Sequence, residues 1–115
     1  MSTKSPESAE SRRVCFTMRL KPSRVDDYLA AHETVWPEML EALHETGWSN
    51  YSLFVDKVNA LVIGYLETDD FERSLAEMAR RPVNDRWQAG MAEFFDAEVE
   101  PDRTMVQLTE YFHLD

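Results

Sequence analysis

Cysteine is nearly absent. Cys15 stands alone among 115 residues, so no disulfide can form within the chain and the composition gives no sign of an exported, cross-linked module. Glycine is almost as scarce: Gly47, Gly64 and Gly90 are too far apart for a GxGxxG turn or a Walker loop, which excludes nucleotide cofactors held in such a cradle. Basic residues are outnumbered, 12 against 22 acidic ones, and a formal charge of −10 repels phosphate backbones and anionic lipid alike, so nucleic acid is not an expected partner. No apolar run approaches the ~20 residues that cross a bilayer, and the opening MSTKSPESAESRR lacks the apolar core of a signal peptide. The expectation is a cytoplasmic protein with no membrane contact. His32, His44 and His113 show no HExxH spacing and one cysteine cannot make a zinc knuckle, so no metal and no cofactor are expected. Glu41 and His44 have the i, i+3 spacing of carboxylate-bridged dinuclear centres, but that chemistry needs the motif twice; a histidine near a helix C-terminus accounts for it.

What remains is an ordinary globular composition, 43% hydrophobic and 30% charged, in a length that fits one domain. Residues 1–12 carry almost nothing to bury and read as a loose tail before a single domain over 13–115. From Val14 the pattern alternates strictly, with Val14, Phe16, Met18 and Leu20 on one face of a strand. Ser23 offers an N-cap, after which Val25, Tyr28, Leu29, His32 and Trp36 mark one helical face, continued by Met39, Leu40 and Leu43. Pro37 must kink or restart that helix, and Gly47 supplies a stop. Ser49 to Val55 and Ala60 to Leu66 read as a hairpin around Asp56-Lys57-Val58-Asn59. Asp69 or Asp70 caps a helix bearing Phe71, Leu75 and Met78, and a second helix begins at Pro82 with Val83, Trp87, Met91, Phe94 and Phe95 on its stripe. A loop over Glu98 to Arg103 precedes a closing strand within Thr104 to Phe112.

This order predicts an α+β fold of the ferredoxin-like kind, an antiparallel sheet with helices on one face. The third strand is apolar or small on both sides, Leu61, Ile63 and Tyr65 on one and Val62, Gly64 and Leu66 on the other, so the open face calls for a second copy and a homodimer is expected.

His32 sits in mid-stripe between Leu29 and Trp36, where an imidazole can hold either protonation state near neutrality. Spacing alone is also met by a satisfied core histidine, but Tyr28, one turn earlier on the same face, delivers a second polar tip to the same region, as a small-molecule pocket requires. Trp87 has the flat indole that packs against a sugar's C–H face, although its stripe position equally suits a core residue. Tyr51 alternates with Leu53 and Val55, and its hydroxyl either finds a partner in a buried face or reaches solvent.

The run from Tyr28 to Lys57, YLAAHETVWPEMLEALHETGWSNYSLFVDK, with its HxxxWPE element at His32 to Glu38, resembles the L-rhamnose mutarotase family. The similarity continues more weakly through LVIGYLE, DRWQAGM and EYFHLD, and so covers nearly everything from Val14 to Leu114. The resemblance implies a dimeric α+β barrel of ferredoxin-like subunits that interconverts the α and β anomers of L-rhamnose, a small neutral monosaccharide, without metal or cofactor. By position it makes His32 the proton donor, Tyr28 and Tyr51 sugar-binding residues, and Trp87 the first of a substrate-contacting pair. Where the family motif has a second tryptophan this chain has Gln88, an amide able to hydrogen-bond a hydroxyl. Ring opening needs one proton given to the ring oxygen and another removed from the anomeric hydroxyl, which acid–base groups supply. Two other readings fit the architecture: a cofactor-free oxygenase of aromatic small molecules on the same dimeric barrel, and a non-enzymatic sugar-binding dimer.

Overall fold

Val14 and Phe16 are buried while Cys15 and Thr17 on the other side are only half-buried, the period-two signature of the first strand, β1 (Arg13–Arg19). The computed structural model describes residues 12–96 and 105–115. After a 3-10 turn at Pro22–Arg24 come two helices, α1 (Val25–Ala31) and α2 (Pro37–Glu45). The hairpin strands β2 (Ser49–Asp56) and β3 (Leu61–Glu67) lead into α3 (Phe71–Ala79) and α4 (Pro82–Met91), a second 3-10 turn at Ala92–Phe94, and the last strand, β4 (Val106–Leu108). The sheet runs β2-β3-β1-β4, all antiparallel, with β1 paired to β3 from Arg13 opposite Glu67 to Arg19 opposite Leu61. This is the ferredoxin-like arrangement expected from the element order.

Proline governs the helical half. Pro22 takes the first position of the 3-10 turn, so Ser23 lies inside that turn and not at a cap; Arg24 precedes α1 and its side chain makes no capping bond, a correction to the expected Ser23 cap. Pro37 restarts the helix, as expected, by sitting at the first turn of α2 after an extended Trp36 (φ −58°, ψ 137°). The break turns Trp36 and Leu40 out of the buried stripe, leaving them 39% and 49% exposed. Of the two candidate aspartates, Asp70 caps α3 by accepting the Arg73 amide at 3.2 Å. Gly47 ends α2 with a positive φ of 94°, a conformation that costs glycine no Cβ clash.

The core lies between sheet and helices. Val14, Phe16, Val62 and Leu66 from the sheet meet Val25, Tyr28, Met78, Trp87, Phe94 and Phe95 from the helical side, all buried. Gly64 lies opposite Phe16 in the ladder, and the phenyl ring occupies the space a side chain at position 64 would need. Among the described residues no helix lies over the other sheet face: Phe54, Val106 and Leu108 are 60%, 58% and 45% exposed. The closing strand is shorter than expected, three residues paired to β1, and Tyr111, Phe112 and Leu114 beyond it are exposed. Apart from Arg12, the expected tail lies outside the described residues, as does the expected loop over Glu98 to Arg103.

Candidate active site

A cavity of about 420 Å³ opens between the helix-facing side of the sheet and all four helices. β1 and β2 supply Met18, Tyr51 and Leu53 as its floor, because these residues alternate onto the same face as Gly64 and Val62. The helices supply Tyr28 and His32 from the end of α1, Met39 from α2, Met78 from α3 and Trp87 from α4. Five of the six methionines of the chain, Met18, Met39, Met78, Met91 and Met105, line it. The walls are mostly apolar with a few polar tips, the composition of a small-molecule site.

All five residues singled out from the sequence, Tyr28, His32, Tyr51, Trp87 and Gln88, line this one cavity. His32 occupies the C-cap of α1, where the helix has just ended and the ring is only half-buried. Its Nδ1 lies 3.1 Å from the Tyr28 carbonyl oxygen. A carbonyl can only accept, so Nδ1 carries the hydrogen, and in the neutral ring Nε2 is left with its lone pair. Burial pushes the imidazole below its ordinary value of 6.5, with the bond to Tyr28 acting in the opposite sense. The ring is therefore neutral at pH 7 and able to take a proton.

The imidazole packs against two aromatic rings. Tyr28 lies 4.4 Å away between centroids and Trp87 meets it edge-on at 5.3 Å, with Trp36 in turn edge-on to Trp87 at 5.0 Å. Tyr28 is held by Phe94 and Phe95, both edge-on to its ring. Burial raises the Tyr28 phenol to about 12 and pushes Tyr51 up further, with the neighbouring Tyr28 phenol adding to the shift of Tyr51, so both stay protonated donors at neutral pH. No hydrogen bond among the described residues engages either hydroxyl, and both side chains line the cavity.

The HxxxWPE element is thereby accounted for residue by residue. His32 enters the cavity, Trp36 backs Trp87, Pro37 starts α2, and Glu38 accepts from Arg86 at 3.1 Å, an exposed tie between α2 and the residue preceding Trp87. Arg81 and Glu45 tie the same two helices at 2.7 Å. Asn50, in SNYSLFVDK, adopts a left-handed φ of 48° that asparagine tolerates, beside the register shift in β2 just before Tyr51. Asn84 was not anticipated: it is buried, lines the cavity from α4 and accepts from Gln88 at 3.2 Å. Its signal was the i, i+4 amide pair with Gln88. Trp48 is a second unanticipated lining residue; its Nε1 is buried with no partner among the described residues. Glu41 and His44 lie on exposed turns of α2, and no cluster of three or more His, Cys, Asp or Glu side chains suited to a metal ion occurs among the described residues.

The family model described as L-rhamnose mutarotase matches residues 13–114. The chain belongs to the L-rhamnose mutarotase family. Membership makes it an anomer-interconverting isomerase. An L-rhamnose mutarotase of Oceanobacillus iheyensis is 34% identical over 104 residues, covering 90% of this chain and 99% of that one. The crystal structure of an L-rhamnose mutarotase from Formosa agariphila superposes with a TM-score of 0.76 at 25% identity, over 91% of this chain and all of that one. A monooxygenase of Streptomyces coelicolor shares the fold alone, with a TM-score of 0.61 at 10% identity over 96% of this chain and 97% of that one. The mutarotase family match thus spans every element that builds the cavity, and the likeness to an oxygenase stops at the architecture. No helix among the described residues is long and apolar enough to cross a membrane.

Proposed function

We propose that this chain interconverts the α and β anomers of L-rhamnose through proton transfer by His32. The observation that carries the reading is the Nδ1–H bond to the Tyr28 carbonyl, which orients a neutral imidazole with its free Nε2 available to the cavity. Nε2 takes the proton of the anomeric hydroxyl; the same nitrogen, now protonated, gives it to the ring oxygen as the C1–O5 bond breaks and C1=O1 forms. His32 is thus the proton donor to the ring oxygen that the family resemblance implies, after first acting as base. The aldehyde turns about C1–C2, the 5-hydroxyl attacks the other face of the carbonyl, and the proton returns by the same route. No redox change occurs. Tyr28 and Tyr51 donate hydrogen bonds to sugar oxygens, Trp87 lies against the apolar side of the ring, and Gln88 stands beside it with an amide able to bond a hydroxyl where the sugar presents one there.

The enzyme works, in this reading, as a homodimer in the cytoplasm. Two subunits pack their uncovered sheet faces together as a dimeric α+β barrel, burying Phe54, Val106 and Leu108. A single cysteine with no intrachain partner suits a reducing compartment.

Anomer exchange of L-rhamnose followed by NMR saturation transfer tests the mechanism. Replacing His32 by alanine is expected to slow catalysed exchange by ~10²–10⁴ while the fold persists. Exchange as fast as in the parent protein removes His32 from the reaction.

A further inference from the structure

We propose that Asn84 and Gln88 form a hydrogen-bonding subsite for a sugar hydroxyl, through which this enzyme accepts a hexose bearing a 6-hydroxyl group as well as the 6-deoxy sugar. The inference rests on the His32 reading of the cavity. Two observations carry it. Asn84 is a polar side chain only 4% exposed, yet the one hydrogen bond its side chain makes among the described residues is with Gln88 at 3.2 Å. That bond uses one acceptor of Asn84 and one donor of Gln88. Left over are the Asn84 NH₂ group, a second N–H of Gln88 and the Gln88 carbonyl. The Asn84 nitrogen is not sealed in packing: Trp48 Nε1 is the sole fully buried side-chain nitrogen or oxygen without a partner among the described residues. Its unused donors are therefore open to the cavity that both amides line.

The second observation is where the pair sits. Trp87 lies next to Gln88 in the chain, three residues after Asn84, and its indole meets the His32 ring at 5.3 Å. With Nε2 working at the anomeric hydroxyl and the ring oxygen, the substituent carried by the carbon on the other side of that oxygen comes next along the same edge. In L-rhamnose it is a methyl group; in L-mannose, the same sugar with C6 oxidised one step further, it is a CH₂OH. His32 and the two phenols are engaged at the reacting end, and most of the remaining lining is apolar, so the amide pair is the group able to satisfy a 6-hydroxyl. A wall without it would bury that hydroxyl unpaired, whereas an amide pair facing a methyl leaves its own donors unpaired.

The test compares L-mannose with L-rhamnose on the whole protein, using two readouts. Saturation transfer gives the anomer exchange efficiency for each sugar. Chemical-shift titration of the ¹⁵N side-chain amides gives binding even where no exchange occurs. The parent protein is expected to accelerate both sugars, and Asn84→Leu to lower the L-mannose to L-rhamnose efficiency ratio by about tenfold or more. Gln88→Leu, at a half-buried position, should move the ratio the same way and guards against a misfolded Asn84 variant. Unchanged ratios in folded variants, with L-rhamnose exchange intact, overturn the subsite and leave the His32 reading standing. Perturbed Asn84 and Gln88 amides with L-mannose bound more tightly than L-rhamnose, but no acceleration of either, would support the subsite and overturn the catalytic reading. If neither sugar binds or exchanges faster, both fall.

Discussion

At His32 the backbone decides the chemistry of the side chain. The helix ends there, the Tyr28 carbonyl one turn back accepts from Nδ1, and the tautomer follows without a carboxylate partner among the described residues. Because burial lowers the imidazole from its ordinary value, the neutral form dominates at pH 7, and exchange efficiency should be level there and fall on the acid side with a midpoint below 6.5. The sign for stability is the same. The unfolded chain takes up a proton more readily than the buried ring, so stability is lost as the pH falls through the interval from about 6.5 down to the depressed native value. A pH profile of exchange alongside thermal unfolding checks both, and an acid limb centred above 6.5 would contradict the buried-base picture. Individual site residues were legible because each stood on a periodic stripe: Tyr28, His32 and Trp87 at helical spacing, Tyr51 at strand spacing. Asn84 was hidden by the same logic. A short polar residue between Val83 and Trp87 reads as surface unless its depth is known, and depth depends on how α4 lies against α2.

At the scale of elements, proline and aspartate punctuation located most boundaries, and errors arose where two signals competed. Pro22 overrode Ser23 at the first helix, since a ring that presets φ starts the turn one residue early. The restart expected at Pro37 does divide the stripe from Val25 to Leu43 into two helices; what the stripe did not show is that the break releases Trp36 toward the surface, where it still supports Trp87. β4 was drawn longer than it is because strand-forming residues persist to Phe112 while pairing partners on β1 are used only as far as Cys15. In the sheet interior the contact between Gly64 and Phe16 is the most constrained. Gly64→Ala should cost roughly 1–3 kcal/mol by forcing the phenyl ring aside. Chemical denaturation reads this directly, and an unchanged midpoint would mean that the ring has room the ladder geometry denies it.

For the whole molecule, the two sheet faces have different fates. The inner one holds the core and the cavity; the outer one presents Phe54, Val106 and Leu108 to solvent in the single chain. That imbalance was readable from β3, apolar or small on both sides, which no one-sided layer of helices can cover. If two copies close over these faces, Phe54→Asp should yield monomers at concentrations where the parent chain sediments as a dimer, with lower thermal stability. A parent chain that sediments as a monomer would refute the assembly. The distribution of sulfur has another use. Apart from Met1, every thioether of the chain borders the chamber, so ¹³C labelling of methionine methyls gives six resonances of which five watch the interior. The same placement makes the chamber the part of the protein most changed by peroxide: each sulfoxide formed would turn a pliable greasy wall into a polar one, so oxidative damage should impair sugar handling before it unfolds the chain.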